Sequence, residues 1–145
     1  MSAYSIDTDG DGDIDTVAQE YDTNHDGVVD TVTYASDTDG DGYVDTVETD
    51  VDTDGDGYVD LVEVDADTDG DGYVDYAVIS ADTDGDGDID AVEEYTDTNA
   101  DGYIDTANYA EDTNNDGVAD IFATASDDDG DGEIDNMLAV INQNV

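Results

Sequence analysis

Three observations on this 145-residue sequence predict an all-β fold of stacked repeats. The nonapeptide DTDGDGYVD, residues 52–60, recurs in related form nine times, every fifteen residues, without insertion or deletion. A fixed period of that kind is read before any local propensity, because it marks a repeat architecture. Only six residues separate one nonapeptide from the next, too few for a helix of useful length. The positions around them carry Val and Ile in regular columns, and β-branched residues fit strands. The specific expectation is a β-solenoid of nine 15-residue coils over residues 7–135. Residues 1–6 form a lead, and residues 136–145 a C-terminal cap or tail.

Each repeat is numbered from its first Asp. Position 1 is Asp in all nine: Asp7, Asp22, Asp37, Asp52, Asp67, Asp82, Asp97, Asp112 and Asp127. Position 3 is Asp in six (Asp9, Asp39, Asp54, Asp69, Asp84, Asp129) and Asn in three (Asn24, Asn99, Asn114). Position 5 is again always Asp: Asp11, Asp26, Asp41, Asp56, Asp71, Asp86, Asp101, Asp116 and Asp131. So is position 9: Asp15, Asp30, Asp45, Asp60, Asp75, Asp90, Asp105, Asp120 and Asp135. Gly holds position 6 throughout, and the repeats with Asn at position 3 also replace the position-4 Gly, by His25, Ala100 and Asn115.

Acidic or amide oxygens at alternate positions, with Gly at position 6 for a sharp turn, are how a short loop surrounds calcium. Calcium is a hard cation that takes six to eight oxygens at about 2.3–2.6 Å. These 36 residues are therefore the candidate metal ligands, about one Ca2+ per repeat, with a position-7 carbonyl completing each set. A paired EF-hand is excluded, because no flanking helices fit. Its bidentate Glu at position 12 is also replaced here by Ala18, Thr33, Glu48, Glu63, Val78, Glu93, Asn108, Ala123 and Leu138. The invariant position-9 Asp is expected to take over that role, with help from a neighbouring repeat.

The DxDxDGxxD loop followed by a short apolar segment, as in DTDGDGYVDLVEV from Asp52 to Val64, resembles the calcium loops of integrin-type FG-GAP propellers. It is also similar to thrombospondin type 3 repeats. That resemblance implies calcium binding along residues 7–135, but neither architecture carries over. A propeller blade has four strands, and thrombospondin repeats are longer and contain cysteine. In its stacking the chain resembles RTX calcium β-rolls, without their GGxGxD nonapeptide.

Each coil in such a stack carries a loop edge and short strands at positions 7–11 and about 13–15, with positions 8 and 11 pointing inward. Coils would lie roughly 4.8 Å apart in a rod roughly 40 Å long. Ions on neighbouring coils would then repel by about 3–4 kcal/mol even in water-like surroundings, offset by carboxylates shared between successive repeats.

Composition narrows the function. The chain has 45 acidic residues, no Lys or Arg, and a formal charge of −45. Binding nucleic acid or an anionic bilayer needs basic surface, so neither is an expected partner. No apolar run approaches the roughly 20 residues of a membrane span, and no membrane insertion is expected. The four ligand columns hold 33 of the 45 acids, which points to cations at fixed places rather than to a solvated acidic tail. Nine divalent ions would bring the charge from −45 to −27, enough to keep rods apart in solution. The start lacks a secretory signal pattern, and cysteine is absent.

Other residues invite sharper readings. Tyr43, Tyr58, Tyr73 and Tyr103 at position 7 either grip a sugar or protein partner or stack on like residues of adjacent strands. The Thr column at position 2, Thr8 to Thr113, either binds ice or bonds nearby backbone. His25 is the sole histidine and is expected to face solvent. Met137, Leu138, Val140 and Ile141 either close the last coil or belong to a C-terminal secretion signal. Identical columns offer no unique pocket, so no enzymatic activity is expected.

The expected function is a calcium-binding structural module that folds into a rigid rod on binding metal. It would be a spacer or adhesin segment, secreted or at the cell surface by a route without an N-terminal signal, with a cytoplasmic location as the other reading. The alternatives are a calcium store or mineral-associated acidic polymer and, further off, an ice-binding protein.

Overall fold

The computed structural model describes residues 2–142. The chain is all-β there: ten strands in one open antiparallel sheet, each beside its sequence neighbour. The strands are β1 (Ser2–Ile6), β2 (Thr16–Tyr21), β3 (Thr31–Ser36), β4 (Thr46–Val51) and β5 (Leu61–Ala66). They continue as β6 (Tyr76–Ala81), β7 (Ala91–Thr96), β8 (Thr106–Glu111), β9 (Ile121–Ser126) and β10 (Asn136–Ile141). Residues 2–6 of the lead are thus β1, and residues 136–141 of the tail are β10. Met1 and residues 143–145 lie outside the described residues.

Two expectations are corrected here. The chain does not wind as a solenoid, because each nine-residue loop reverses it and consecutive strands run antiparallel. The strand occupies positions 10–15 in one piece, not positions 7–11 and 13–15. Consecutive nonapeptides therefore fall on opposite edges of the sheet. Loops 1, 3, 5, 7 and 9 line one edge and loops 2, 4, 6 and 8 the other.

Strand length explains why the apolar columns build no interior. Position 11 pairs with position 14, as in Val17 opposite Ala35 and Val32 opposite Asp50. Those positions are three apart, and side chains alternate faces along a strand, so each column switches face at every repeat. Val17 and Val47 share one face, Val32 and Val62 the other. A sequence period of fifteen thus becomes a structural period of thirty. Position 8 lies in the loop, where Val44 and Ile134 are more than half exposed, so it does not point inward either.

The result is a single layer, in which each strand touches only its sheet neighbours. Among the described residues only Ala18 and Ala91 are buried apolar residues, and no large side chain is fully buried. Order comes instead from backbone ladders and loops. Every loop closes with its position-9 N–H donating to the last carbonyl of the preceding strand, as Asp60 does to Val51 at 2.8 Å. From the third loop on, each position-1 N–H donates to the position-9 carbonyl two loops back, as Asp37 does to Asp15 at 2.8 Å.

Candidate metal centre

The fourth loop shows how one repeat is built. Both carboxylate oxygens of Asp52 accept backbone N–H groups, Gly55 at 2.7 Å and Gly57 at 2.9 Å. Wrapping the chain around that carboxylate needs left-handed backbone at positions 4 and 6, with φ of 81° at Gly55 and 95° at Gly57, which Gly adopts without steric cost. Asp54 Oδ1 accepts from the Asp56 N–H at 3.0 Å, and Asp56 Oδ1 from the Tyr58 N–H at 2.9 Å. At position 9, Asp60 Oδ2 accepts from the Thr53 N–H at 2.6 Å, from the Thr53 hydroxyl and from the Asp54 N–H at 3.3 Å.

Positions 3, 5 and 9 thus each use one oxygen to shape the loop and leave the other without a protein partner: Asp54 Oδ2, Asp56 Oδ2 and Asp60 Oδ1. In several loops the carboxylates that converge are those of positions 1 and 3, joined by position 9 or position 5. Oxygens of Asp52, Asp54 and Asp60 lie within 4.8 Å of one another, as do those of Asp7, Asp9 and Asp15 and of Asp82, Asp84 and Asp90. In loops 3 and 5 the sets are Asp37, Asp39, Asp41 and Asp67, Asp69, Asp71. Oxygens across a calcium ion stand about 5 Å apart, twice the metal–oxygen distance, so the residues fit such an ion.

Loops 7 and 8 differ at position 3. There the amide of Asn99 donates to Asp105 at 3.1 Å and that of Asn114 to Asp120 at 3.0 Å, giving the position-9 carboxylate a donor where other loops place a third acid. Asn24 instead accepts the Asp26 N–H at 2.9 Å. His25, Ala100 and Asn115 adopt φ of 65°, 58° and 56°, the same left-handed turn that Gly makes elsewhere. Nothing in the structure explains why Asn at position 3 accompanies the loss of that Gly.

Electrostatics separates the columns. The Thr hydroxyl, then its backbone N–H, holds the carboxyls of Asp15, Asp45, Asp60, Asp75 and Asp105 below the ordinary value of 3.8. At position 1 the Gly87 N–H leads in pulling Asp82 down. Two position-3 carboxyls go the other way. The charge of Asp131, then that of Asp135, pushes Asp129 up. At Asp69 the bond from the Asp71 backbone favours the anion, but burial and the charges of Asp71, Asp75 and Asp67 outweigh it, and it too is raised.

Among the described residues nine aspartates are buried, six at position 9 (Asp30, Asp60, Asp75, Asp90, Asp105, Asp120) and three at position 1 (Asp82, Asp97, Asp127). Comparison with protein families, characterised proteins and solved structures finds no match to this chain.

Loops that share an edge touch. Gly102 approaches the ring of Tyr73, where a Cβ would lie 3.3 Å from Cδ1, and Gly132 approaches Tyr103 still more closely. Tyr73 and Tyr103 thus lean on the Gly of the next loop along, whereas Gly72 and Gly87, the counterparts for Tyr43 and Tyr58, meet nothing within 4 Å; all four are loop residues and not a ladder on adjacent strands. The Thr hydroxyls bond the position-9 carboxylate rather than backbone. His25 Nδ1 lies 2.9 Å from its own loop's Asp22 carbonyl. Sequence reading missed both the Thr–Asp bond and the alternation of edges. The invariant seven-residue spacing from Thr to Asp was the only available sign of the first.

Adjacent ions would not share carboxylates between successive repeats, since successive loops face opposite edges. Same-edge loops are two strands apart, about 9.6 Å. That separation lowers the repulsion between divalent ions to about 1.7 kcal/mol in water-like surroundings.

Proposed function

We propose that the nine loops bind calcium and that the bound ions stabilise the sheet, making the protein a calcium-dependent structural ribbon. One observation carries the reading. Nine of the twelve buried residues among those described are aspartates, and the chain contains no Lys or Arg to neutralise them. Gathering negative charge without a counter-charge is costly, and a divalent ion held where the position-1 and position-3 carboxylates meet that of position 5 or 9 removes that cost. At Asp129 the charge of Asp131, and at Asp69 burial with neighbouring charges, disfavour the anion, which a bound cation would relieve. Calcium suits these irregular sets of charged oxygens better than magnesium, which demands near-ideal octahedra at about 2.1 Å.

With so little apolar burial, metal binding becomes folding energy. A chain that is soft without calcium and stiff with it serves as a spacer or adhesin segment outside the cell. The sheet signal in circular dichroism is expected to fall in chelator and return with calcium, with cooperative uptake of about one ion per loop in calorimetry. A spectrum that ignores chelator defeats this reading. Many weak, independent ions without any gain of sheet would favour the alternative of a calcium store.

A further inference from the structure

Among the described residues β1 and β10 each have one neighbour, so each presents a row of unpaired backbone groups. Sheets commonly guard such edges with charge. This chain has 45 acidic residues, yet neither β1 (SAYSI) nor β10 (NMLAVI) carries one. Met137, Leu138 and Ile141 on β10 are 78%, 61% and 66% exposed.

The loop-to-loop ladder is also unfinished at its ends. On the edge of loops 1 to 9 it runs from Asp37 N–H on Asp15 C=O to Asp127 N–H on Asp105 C=O. Asp7 N–H at one end and Asp135 C=O at the other have no bond among the described residues. Asn142 shows that the ladder extends past the last strand, since its N–H takes Asp120 C=O at 2.6 Å on the opposite edge.

Parity joins these facts. Ten strands of alternating direction make β10 antiparallel to β1, so a second copy translated along the sheet lays its β1 antiparallel on β10. The interior register then places Asn136 opposite Ile6, Met137 opposite Ser5, Leu138 opposite Tyr4 and Ala139 opposite Ala3. It also brings Asp7 N–H of one copy to Asp135 C=O of the other. We propose that copies of this chain add end to end, β10 of one pairing with β1 of the next, continuing the meander as an open ribbon.

Such a head-to-tail contact does not close on itself and generates filaments. The junction sets loops 9 and 1 at the spacing that same-edge loops already have within one chain, so it introduces no closer approach of charge. A β10-to-β10 contact is the competing geometry. It leaves Asp135 C=O without a donor, because Asn142 N–H is already used.

The test uses two variants of the full chain, in whichever of calcium or high salt keeps the sheet signal intact; high salt screens the loops whether or not they hold ions. Met137→Glu with Leu138→Glu blocks β10, and Ser5→Glu with Ala3→Glu blocks β1. Sedimentation equilibrium of the unaltered chain should show mass rising with concentration well beyond two chains. Each variant alone should remain at one chain, 15.3 kDa, and an equimolar mixture should give a two-chain species. A folded, unaltered chain that stays single overturns the proposal. So does either variant pairing with itself, or a mixture that fails to pair. Loss of the sheet in chelator bears on calcium alone and leaves these outcomes distinct.

Discussion

Asn115, on the eighth loop, donates its side-chain amide to Asp84 Oδ2 on the sixth at 2.9 Å. The same amide reaches Asp86 Oδ2 at 2.9 Å, so it engages two of the oxygens that the sixth loop would offer a cation. Asn115→Gly frees both and keeps the turn. Calcium affinity at one site should then rise about tenfold, the equivalent of a hydrogen bond to a charged group. Calorimetry of the variant that shows nine unchanged sites would rule out this competition.

Left-handed backbone at position 4 sets a second expectation. Ala100 sits at φ 58°, where a Cβ costs roughly 1–2 kcal/mol. Ala100→Gly should stabilise the protein by about 1 kcal/mol, part of the relief being lost to a freer unfolded chain. Gly132→Ala is the converse. Its φ is 83°, and the new Cβ would lie 2.9 Å from Tyr103 Cδ1, so it should lose at least 1–2 kcal/mol. Thermal melts of the two variants should move in opposite directions.

Acid titration without metal, in salt high enough to keep the sheet signal, should show two signs. Raised groups such as Asp69 and Asp129 favour the folded state once protonated, so stability should rise as pH falls through their raised folded values, a gain complete below about 3.8. Position-9 groups such as Asp15 and Asp60 are depressed below 3.8. Their contribution is present above 3.8 and is lost as pH falls through the lower folded values. Melting temperature should therefore peak in mildly acidic solution, near or just above the ordinary carboxylate range. A steady decline from pH 7 would contradict the assignment of strain to position 3.

At the alkaline end, the Tyr109 hydroxyl donates to Glu111 at 2.7 Å, and that bond, with burial, pushes its pKa from 10.0 to about 12. Its contribution is complete below 10 and is lost as pH rises through about 12. Glu111→Gln should bring this tyrosine back towards 10, read as ionisation in ultraviolet difference absorbance. An unmoved titration would remove Glu111 as the cause.

Much of the candidate site is legible in the sequence. Gly57 at position 6 and Asp52, Asp54, Asp56 and Asp60 around it describe a local ring of bonds that needs nothing beyond nine consecutive residues. The all-β class was equally readable, since six residues between loops leave room for one strand and no helix. The Thr53 to Asp60 bond escaped notice because a hydroxyl can serve backbone or side chain, and only the folded loop decides. Tyr73 against Gly102 and Asn115 against Asp84 join loops some thirty residues apart, a distance at which residue spacing carries no information.

The amino-acid sequence by itself determined nine acidic loops, their turn residues and the strands between them, because each of those depends on contacts within one repeat. Only the tertiary structure decided the direction of those strands. A fifteen-residue period reads the same for coils stacked parallel and for hairpins folded back and forth, and backbone groups pair in both. The reversal at every loop sends alternate repeats to opposite edges and splits each apolar column between two faces. That is why this protein rests on its hydrogen-bonded loops and not on an apolar interior.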